Sequence, residues 1–187
     1  MLSTRGVTGL KYTQQKWKGL ASHKPLYDII STALGDLRIT YIPGEHSVAV
    51  LLTVEFLLSR EAGAEEDLAL KKQALPEGIR RQFNRYISGK RRNFDIPVWI
   101  EGTDFDKRVW QAMKDIPYGE TRTYKWVAER IGLPGGERAV GGALSRNPLS
   151  IILPCHRVIQ SDGGLGGYSS GVEIKRRLLE IEYYNSL

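Results

Sequence analysis

The chain reads as an α+β protein, strand-rich in its first half and helical around a helix-turn-helix unit in its second. Three observations carry that expectation. Residues 27–56 hold runs of β-branched and aromatic residues broken by short turns. From about residue 76 onward the apolar residues recur at helical spacing. Two short helical patterns then flank a glycine-containing turn at residues 132–136.

Taken in order, "YDIISTA" (27–33) and "DLRITYI" (36–42) flank a Leu34-Gly35 turn, and "VAVLLTVEF" (48–56) adds a third strand after "PGEH". "EAGAEEDLALKKQ" (61–73), acidic and then basic, predicts a loop and a helix. "PEGIRRQFNRYISGK" predicts a helix after Pro76, with Ile79, Phe83, Tyr86 and Ile87 on one face and Gly89 as its stop. The basic, proline-interrupted "KRRNFDIPVWIEGTD" suits a connector. The expected organisation is an N-terminal domain over residues 1–90, a connector over 91–103 and a C-terminal domain over 104–187.

In the second half, "TDFDKRVWQAMKDI" opens on a Thr/Asp cap and puts Phe105, Val109, Met113 and Ile116 on one face. "TYKWVAERIG" and "ERAVGGALSR" are the two short helices, the second stopped at Asn147-Pro148. "SIIL" (150–153) reads as a short strand ending at Pro154. "SDGGLGGYSSG" (161–171) reads as a glycine-rich loop and "VEIKRRLLEIEYY" as a closing amphipathic helix.

Composition narrows the function classes. The 187 residues suffice for one large domain or two small ones, and the formal charge of +6 favours a polyanionic partner, although a solvated basic face gives the same number. No apolar run approaches the ~18 residues of a membrane span. Residues 1–27 contain no acid and scatter Arg5, Lys11, Lys16, Lys18 and Lys24 among serines and threonines: a basic arm, or an organellar transit segment. One cysteine excludes an internal disulfide and fits a reducing compartment, the cytoplasm or, in a eukaryote, the nucleus.

The second short helix has the wrong side chains for a major-groove reader, which needs long polar groups. It offers Ala139, Gly141, Gly142 and Ala143, with Arg138 near its start. Small residues let a backbone approach a minor groove ~6 Å wide. Two glycines cost about 1 kcal/mol each in helix propensity, so something must compensate; tight packing against a neighbouring helix would serve equally.

The lone cysteine, Cys155, sits in "PCHR". A lone cysteine is commonly an inert core residue. Here Pro154 fixes the backbone, His156 can take a proton, and Arg157 favours a thiolate. Adjacent residues on an extended segment point opposite ways, so a bridging water is the natural Cys–His link. His23 and His46, the other histidines, lie far off in the chain, and no metal site is expected. Glu173, Glu180 and Glu182 could each orient His156, and spacing does not choose among them.

"PCHRV" followed by "GYSSG", and preceded by "TYKWVA" and "ERAVGGALSRNP", resembles the O6-alkylguanine-DNA alkyltransferases, the methylated-DNA–protein-cysteine methyltransferases. The resemblance runs from about Phe105 to Glu182 and holds only in outline before that. It implies a three-layered, ribonuclease H-like N-terminal domain and a winged-helix-like C-terminal one. It implies Cys155 as alkyl acceptor, His156 as its base through a water, Glu182 as the orienting carboxylate, and Asn147 as a brace between the helix-turn-helix and the active-site segment. Tyr124 would rotate a phosphate and donate to N3 of a flipped guanine. Arg138 would fill the gap in the stack, Ser169 would contact O6, and the carbonyls of Cys155 and Val158 would accept from the exocyclic amine. Arg146 joins Ala139, Gly141 and Gly142 as a DNA contact. Some members carry zinc on N-terminal cysteines and histidines; those cysteines are missing here, so zinc is not carried over.

The implied partner is double-stranded DNA containing O6-alkylguanine, bound by a monomer without cofactor or membrane. With no second cysteine or cofactor motif to regenerate the sulfur, the transfer is expected to be irreversible and to occur once per molecule. The rival readings are a binding-only relative, against which Cys155 argues, a Cys–His hydrolase, and a winged-helix regulator with an incidental cysteine.

Overall fold

The computed structural model describes residues 24–44, 48–57 and 70–187. The greater part of the basic arm, His23, His46 and most of the helix expected over residues 61–73 lie outside the described residues. Strands β1 (Leu26–Thr32) and β2 (Gly35–Pro43) form the expected hairpin, and β3 (Ala49–Phe56) pairs antiparallel with β2. Gly35, at φ 123°, takes the left-handed backbone of the turn. Lys71–Lys72 correct one expectation: they form a short strand, β4, parallel to β1, in a sheet ordered β3-β2-β1-β4. The unpaired edge of β1 supplies backbone partners there, and a local helix would leave them unmet.

Helix α1 (Glu77–Ile87) starts after Pro76 and buries Ile79, Phe83, Tyr86 and Ile87, the face its spacing predicts. It is tied to the sheet through Asp28 on β1, whose buried carboxylate accepts from Leu75 N at 2.9 Å and from Arg80 Nη1 at 2.5 Å. Of the three layers expected in this half, the described residues supply the sheet and one helical layer.

The outer edge of β3 positions the rest of the chain. Leu51 exchanges backbone hydrogen bonds with Pro97 and Trp99, and Val54 does so with Pro148 and Ser150, at 2.8–3.0 Å. The strand edge therefore holds both the connector and the segment leading to Cys155.

Helix α2 (Asp104–Lys114) opens with a capping box: Thr103 Oγ1 accepts from Asp106 N, and the Asp106 carboxylate accepts from Thr103 N. Strand β5 (Arg122–Thr123) leads into α3 (Tyr124–Arg130), which is capped by Thr123, and α4 (Glu137–Ser145) follows the turn at Gly132–Gly136. Val127, Ala128, Val140, Ala143 and Leu144 close the helix-turn-helix onto α2, where Trp110 Nε1 donates to Ala143 O at 2.9 Å. Strand β6 (Val158–Ile159) pairs parallel with β5, and α5 (Val172–Tyr184) closes the chain. Among the described residues no helix is long and apolar enough to cross a membrane.

The expected "SIIL" strand is instead a compact turn with Ile151 at φ 72°. Asn147 causes it: Oδ1 accepts from Leu149 N at 3.0 Å and Nδ2 donates to Leu153 O at 2.8 Å, replacing the bonds a ladder would make. Cys155–Arg157 likewise form a 3-10 turn and not an extended segment.

Candidate active site

Cys155 is nearly buried, at 5% exposure, yet its sulfur opens into a cavity of about 500 Å³. Tyr124 on α3, Arg138 and Gly141 on α4, and Gly167, Tyr168 and Ser169 of the glycine-rich loop line it. Gly166, next to the lining residues, packs against Tyr124. It adopts φ 69°, and a Cβ there would stand 2.9 Å from Tyr124 Oη, so only glycine lets the loop close over that ring.

Burial pushes the Cys155 thiol up. Opposing it, in descending order, are a hydrogen bond from Asn147, the Lys175 charge, and the backbone N–H groups of Cys155 and His156. Asn147 Nδ2 lies 3.0 Å from Sγ. The Asn147 amide thus serves the turn and the sulfur together.

Behind the sulfur, His156 is fully buried, and its Nε2 lies 2.6 Å from Glu182 Oε1. Despite its burial, Glu182 is held well below the ordinary carboxylate range by His156 and Arg157. Burial lowers the His156 pKa, with Glu182 opposing, so the resting ring is neutral near pH 7. A carboxylate only accepts, which places the His156 proton on Nε2 and leaves Nδ1 as a bare acceptor. Nδ1 has no hydrogen-bond partner among the described residues. Of the three candidate carboxylates, Glu182 alone meets His156; Glu173 and Glu180 pair with Arg176 on the surface.

One residue differs from its sequence reading, and another was not singled out there. Arg157 does not act on the thiol: Nε donates to Glu182 Oε2 at 2.8 Å, Nη2 to Oε1 at 3.1 Å and Nη1 to Ile116 O at 2.7 Å. The cation influencing the sulfur is Lys175, which sequence reasoning missed. Its buried ammonium donates to Val158 O at 2.6 Å, and burial lowers its pKa to about 8. Helical spacing held the signal, since Lys175, Leu178 and Glu182 share the buried face of α5.

On α4, Arg138 and Ala139 face outward and Gly141 and Gly142 are half-buried. A Cβ at Gly141 would meet only Tyr124 Cε1, at 3.8 Å, and one at Gly142 only Arg146 Nη1, at 3.4 Å. Packing within the protein therefore does not demand either glycine. Arg146 stands apart from the cavity, donating to the buried Asp106 carboxylate at 2.6 and 3.2 Å. Among the described residues no group of histidine, cysteine and acidic side chains could hold a metal ion.

Fold and site together define a class: a helix-turn-helix domain built round a single cysteine that opens beside the second helix. The family model for the 6-O-methylguanine DNA methyltransferase DNA-binding domain matches residues 104–184. The chain belongs to the methylated-DNA–protein-cysteine methyltransferase family. A Methanosarcina barkeri member is 58% identical over 105 residues, 56% of this chain and 66% of that protein, so the match spans just under two thirds of the relative. A Methanosarcina mazei member is 50% identical over 107 residues, covering 57% and 68%. The crystal structure of Mycobacterium tuberculosis OGT in complex with DNA superposes with a TM-score of 0.72 at 39% identity, covering 85% of this chain and 93% of that one.

Proposed function

We propose that this protein repairs DNA by direct reversal, moving the O6-alkyl group of guanine irreversibly onto Cys155, once per molecule. The observation that carries this reading is the sulfur at the base of a cavity whose mouth is edged by Arg138 and α4. A volume of about 500 Å³ lies within the usual range for small-ligand sites. The alkyl carbon lies inside the duplex, so the guanine must swing out, at a few kcal/mol in lost stacking. Arg138 fills the space it leaves, and the small residues of α4, Ala139 and Gly142 among them, let the helix lie close along the minor groove. Arg146, with over half its side chain exposed, reaches a phosphate from the helix end.

In the reaction, the thiol proton passes through a water to His156 Nδ1. The resulting imidazolium is stabilised by Glu182. The thiolate attacks the alkyl carbon, the C–O bond breaks, and its electron pair goes to the purine. Tyr124 donates to N3 of the departing guanine and Ser169 to O6. Burial and the Cys155 charge both raise the Tyr124 pKa, so its hydroxyl keeps the proton it must donate. Val158 O accepts from Lys175 and retains a second lone pair for the exocyclic amine, which the Cys155 carbonyl also receives.

Every group invoked belongs to one chain, which suits a monomer. The residues divide into a supporting domain over 1–90, a connector over 91–103 and a DNA-binding domain over 104–187. A single cysteine suits the reducing cytoplasm or nucleus. Incubation with an oligonucleotide carrying O6-methylguanine should add one methyl per protein by intact mass, and none to Cys155→Ala. Continuous turnover at substoichiometric protein would overturn the reading in favour of a hydrolase.

A further inference from the structure

The Glu182 carboxylate accepts five hydrogen bonds. Oε1 receives His156 Nε2, Arg157 Nη2 and the Tyr86 hydroxyl; Oε2 receives Arg157 Nε and, at 3.1 Å, Gly119 N. Among the described residues, Tyr86 is the one donor from outside residues 104–187. It reaches in from α1, 96 positions before Glu182.

We propose that Tyr86 is a positioning residue for alkyl transfer, by which the N-terminal half of the chain sets the orientation and charge of Glu182 and, through it, the basicity of His156. The geometry leaves the hydroxyl little else to do. Tyr86 is 1% exposed, its ring stacks on Phe94 at 4.8 Å and meets Tyr118 edge-on at 5.8 Å, and its oxygen also accepts from Arg157 Nη2 at 3.4 Å. Burial, and the adjacent Glu182 charge after it, hold the Tyr86 pKa well above its ordinary value, so the group remains a donor. By sharing Oε1 with His156, Tyr86 draws off part of the negative charge that would stabilise the imidazolium. The other groups facing this pair are Arg157 from the 3-10 turn, Lys175 from α5, Tyr118 from the loop after α2 and Tyr168 from the glycine-rich loop.

This inference rests on the alkyl-transfer reading, and the test separates the two. Single-turnover methyl transfer from an O6-methylguanine oligonucleotide to full-length parent and Tyr86→Phe is followed across pH 5 to 9. The substitution keeps the ring and removes only the oxygen. With one donor gone from Oε1, the acid limb, on which His156 titrates, should move up by about half a pH unit or more. A parent that transfers no methyl sinks the alkyl-transfer reading itself. A parent that transfers, with a Tyr86→Phe profile superimposable on it, overturns the role of Tyr86 alone, whatever the change in melting temperature. A readout independent of any variant's folding is the Tyr86 hydroxyl proton of the parent. It should be protected from solvent exchange and show a nuclear Overhauser effect to the His156 ring; rapid exchange overturns the proposal.

Discussion

Replacing Asn147 by alanine removes three hydrogen bonds with different consequences. The bond to Cys155 Sγ is the largest influence lowering a thiol pKa that burial has raised. A hydrogen bond to a charged acceptor contributes about 1.5–3 kcal/mol, so its loss raises the thiol pKa by about 1–2 units. At neutral pH the thiolate population then falls about 10- to 100-fold. A more basic thiolate is also a better nucleophile, with a Brønsted slope of about 0.4–0.5, which returns roughly 3- to 8-fold. The expected net loss in transfer rate is about 3- to 12-fold. The bonds to Leu149 N and Leu153 O hold the turn; Leu153 O keeps its bond from Cys155 N, so the substitution leaves Leu149 N unpaired, at a cost of about 1–3 kcal/mol in stability. Rates of methyl transfer measured against pH separate these effects: the Asn147→Ala deficit should shrink as pH approaches the thiol pKa. A deficit of equal size at every pH would refute the electrostatic argument and leave only distortion of the turn.

Three further outcomes follow from the same geometry. Arg138→Ala should slow repair in duplex DNA far more than reaction with the free modified base, because Arg138 edges the cavity mouth without touching the sulfur; equal effects, read from single-turnover rates on both substrates, would remove it as a wedge. Gly142→Ala should raise the melting temperature, gaining up to about 1 kcal/mol in helix propensity with only Arg146 Nη1 nearby, while weakening DNA binding in a titration. Both His156 and Glu182 have depressed folded pKa values, so the unfolded chain binds more protons. Their contributions to stability are complete above the unfolded values near 6.5 and 4.5 and are lost as pH falls below each. Glu182→Gln should therefore cost about 3–5 kcal/mol at pH 7, by stranding Arg157, and show a shallower acid dependence in denaturant titrations.

Elements whose residues answer to local physics were legible in the sequence. The hairpin at Leu34-Gly35, the α1 face of Ile79, Phe83 and Tyr86, and the Thr103 cap each depend on neighbours within a few positions. "SIIL" misled because a β-branched run suits a strand; only the Asn147 side chain, folding back on Leu149 and Leu153, makes it a turn. Arg157 misled because adjacency to Cys155 suggested contact, whereas the 3-10 turn directs its guanidinium to Glu182. Tyr86 was read as core, which it is. No local pattern reveals that its hydroxyl meets a carboxylate 96 residues later, since that meeting is made by packing between the two halves of the chain.

That packing bears on how the sulfur proposed as alkyl acceptor is kept. An exposed, low-pKa thiol would react readily but would also oxidise, because susceptibility follows thiolate character and access. Here burial keeps Cys155 protonated at rest. Asn147, Lys175 and two backbone N–H groups are already arranged to receive the charge when it forms. The neutral His156, its Nε2–H donating a hydrogen bond to Glu182, leaves Nδ1 without a partner among the described residues, as the proposed proton acceptor requires. A fixed set of donors stabilises developing charge without reorganising at the moment of reaction, so the barrier is lowered only while an electrophilic carbon occupies the cavity. The same buried carboxylate that orients His156 ties α1, the 3-10 turn and α5 together. Glu182 thus contributes to the rigidity of the fold and, through His156, to the proposed transfer, and changes there should move both.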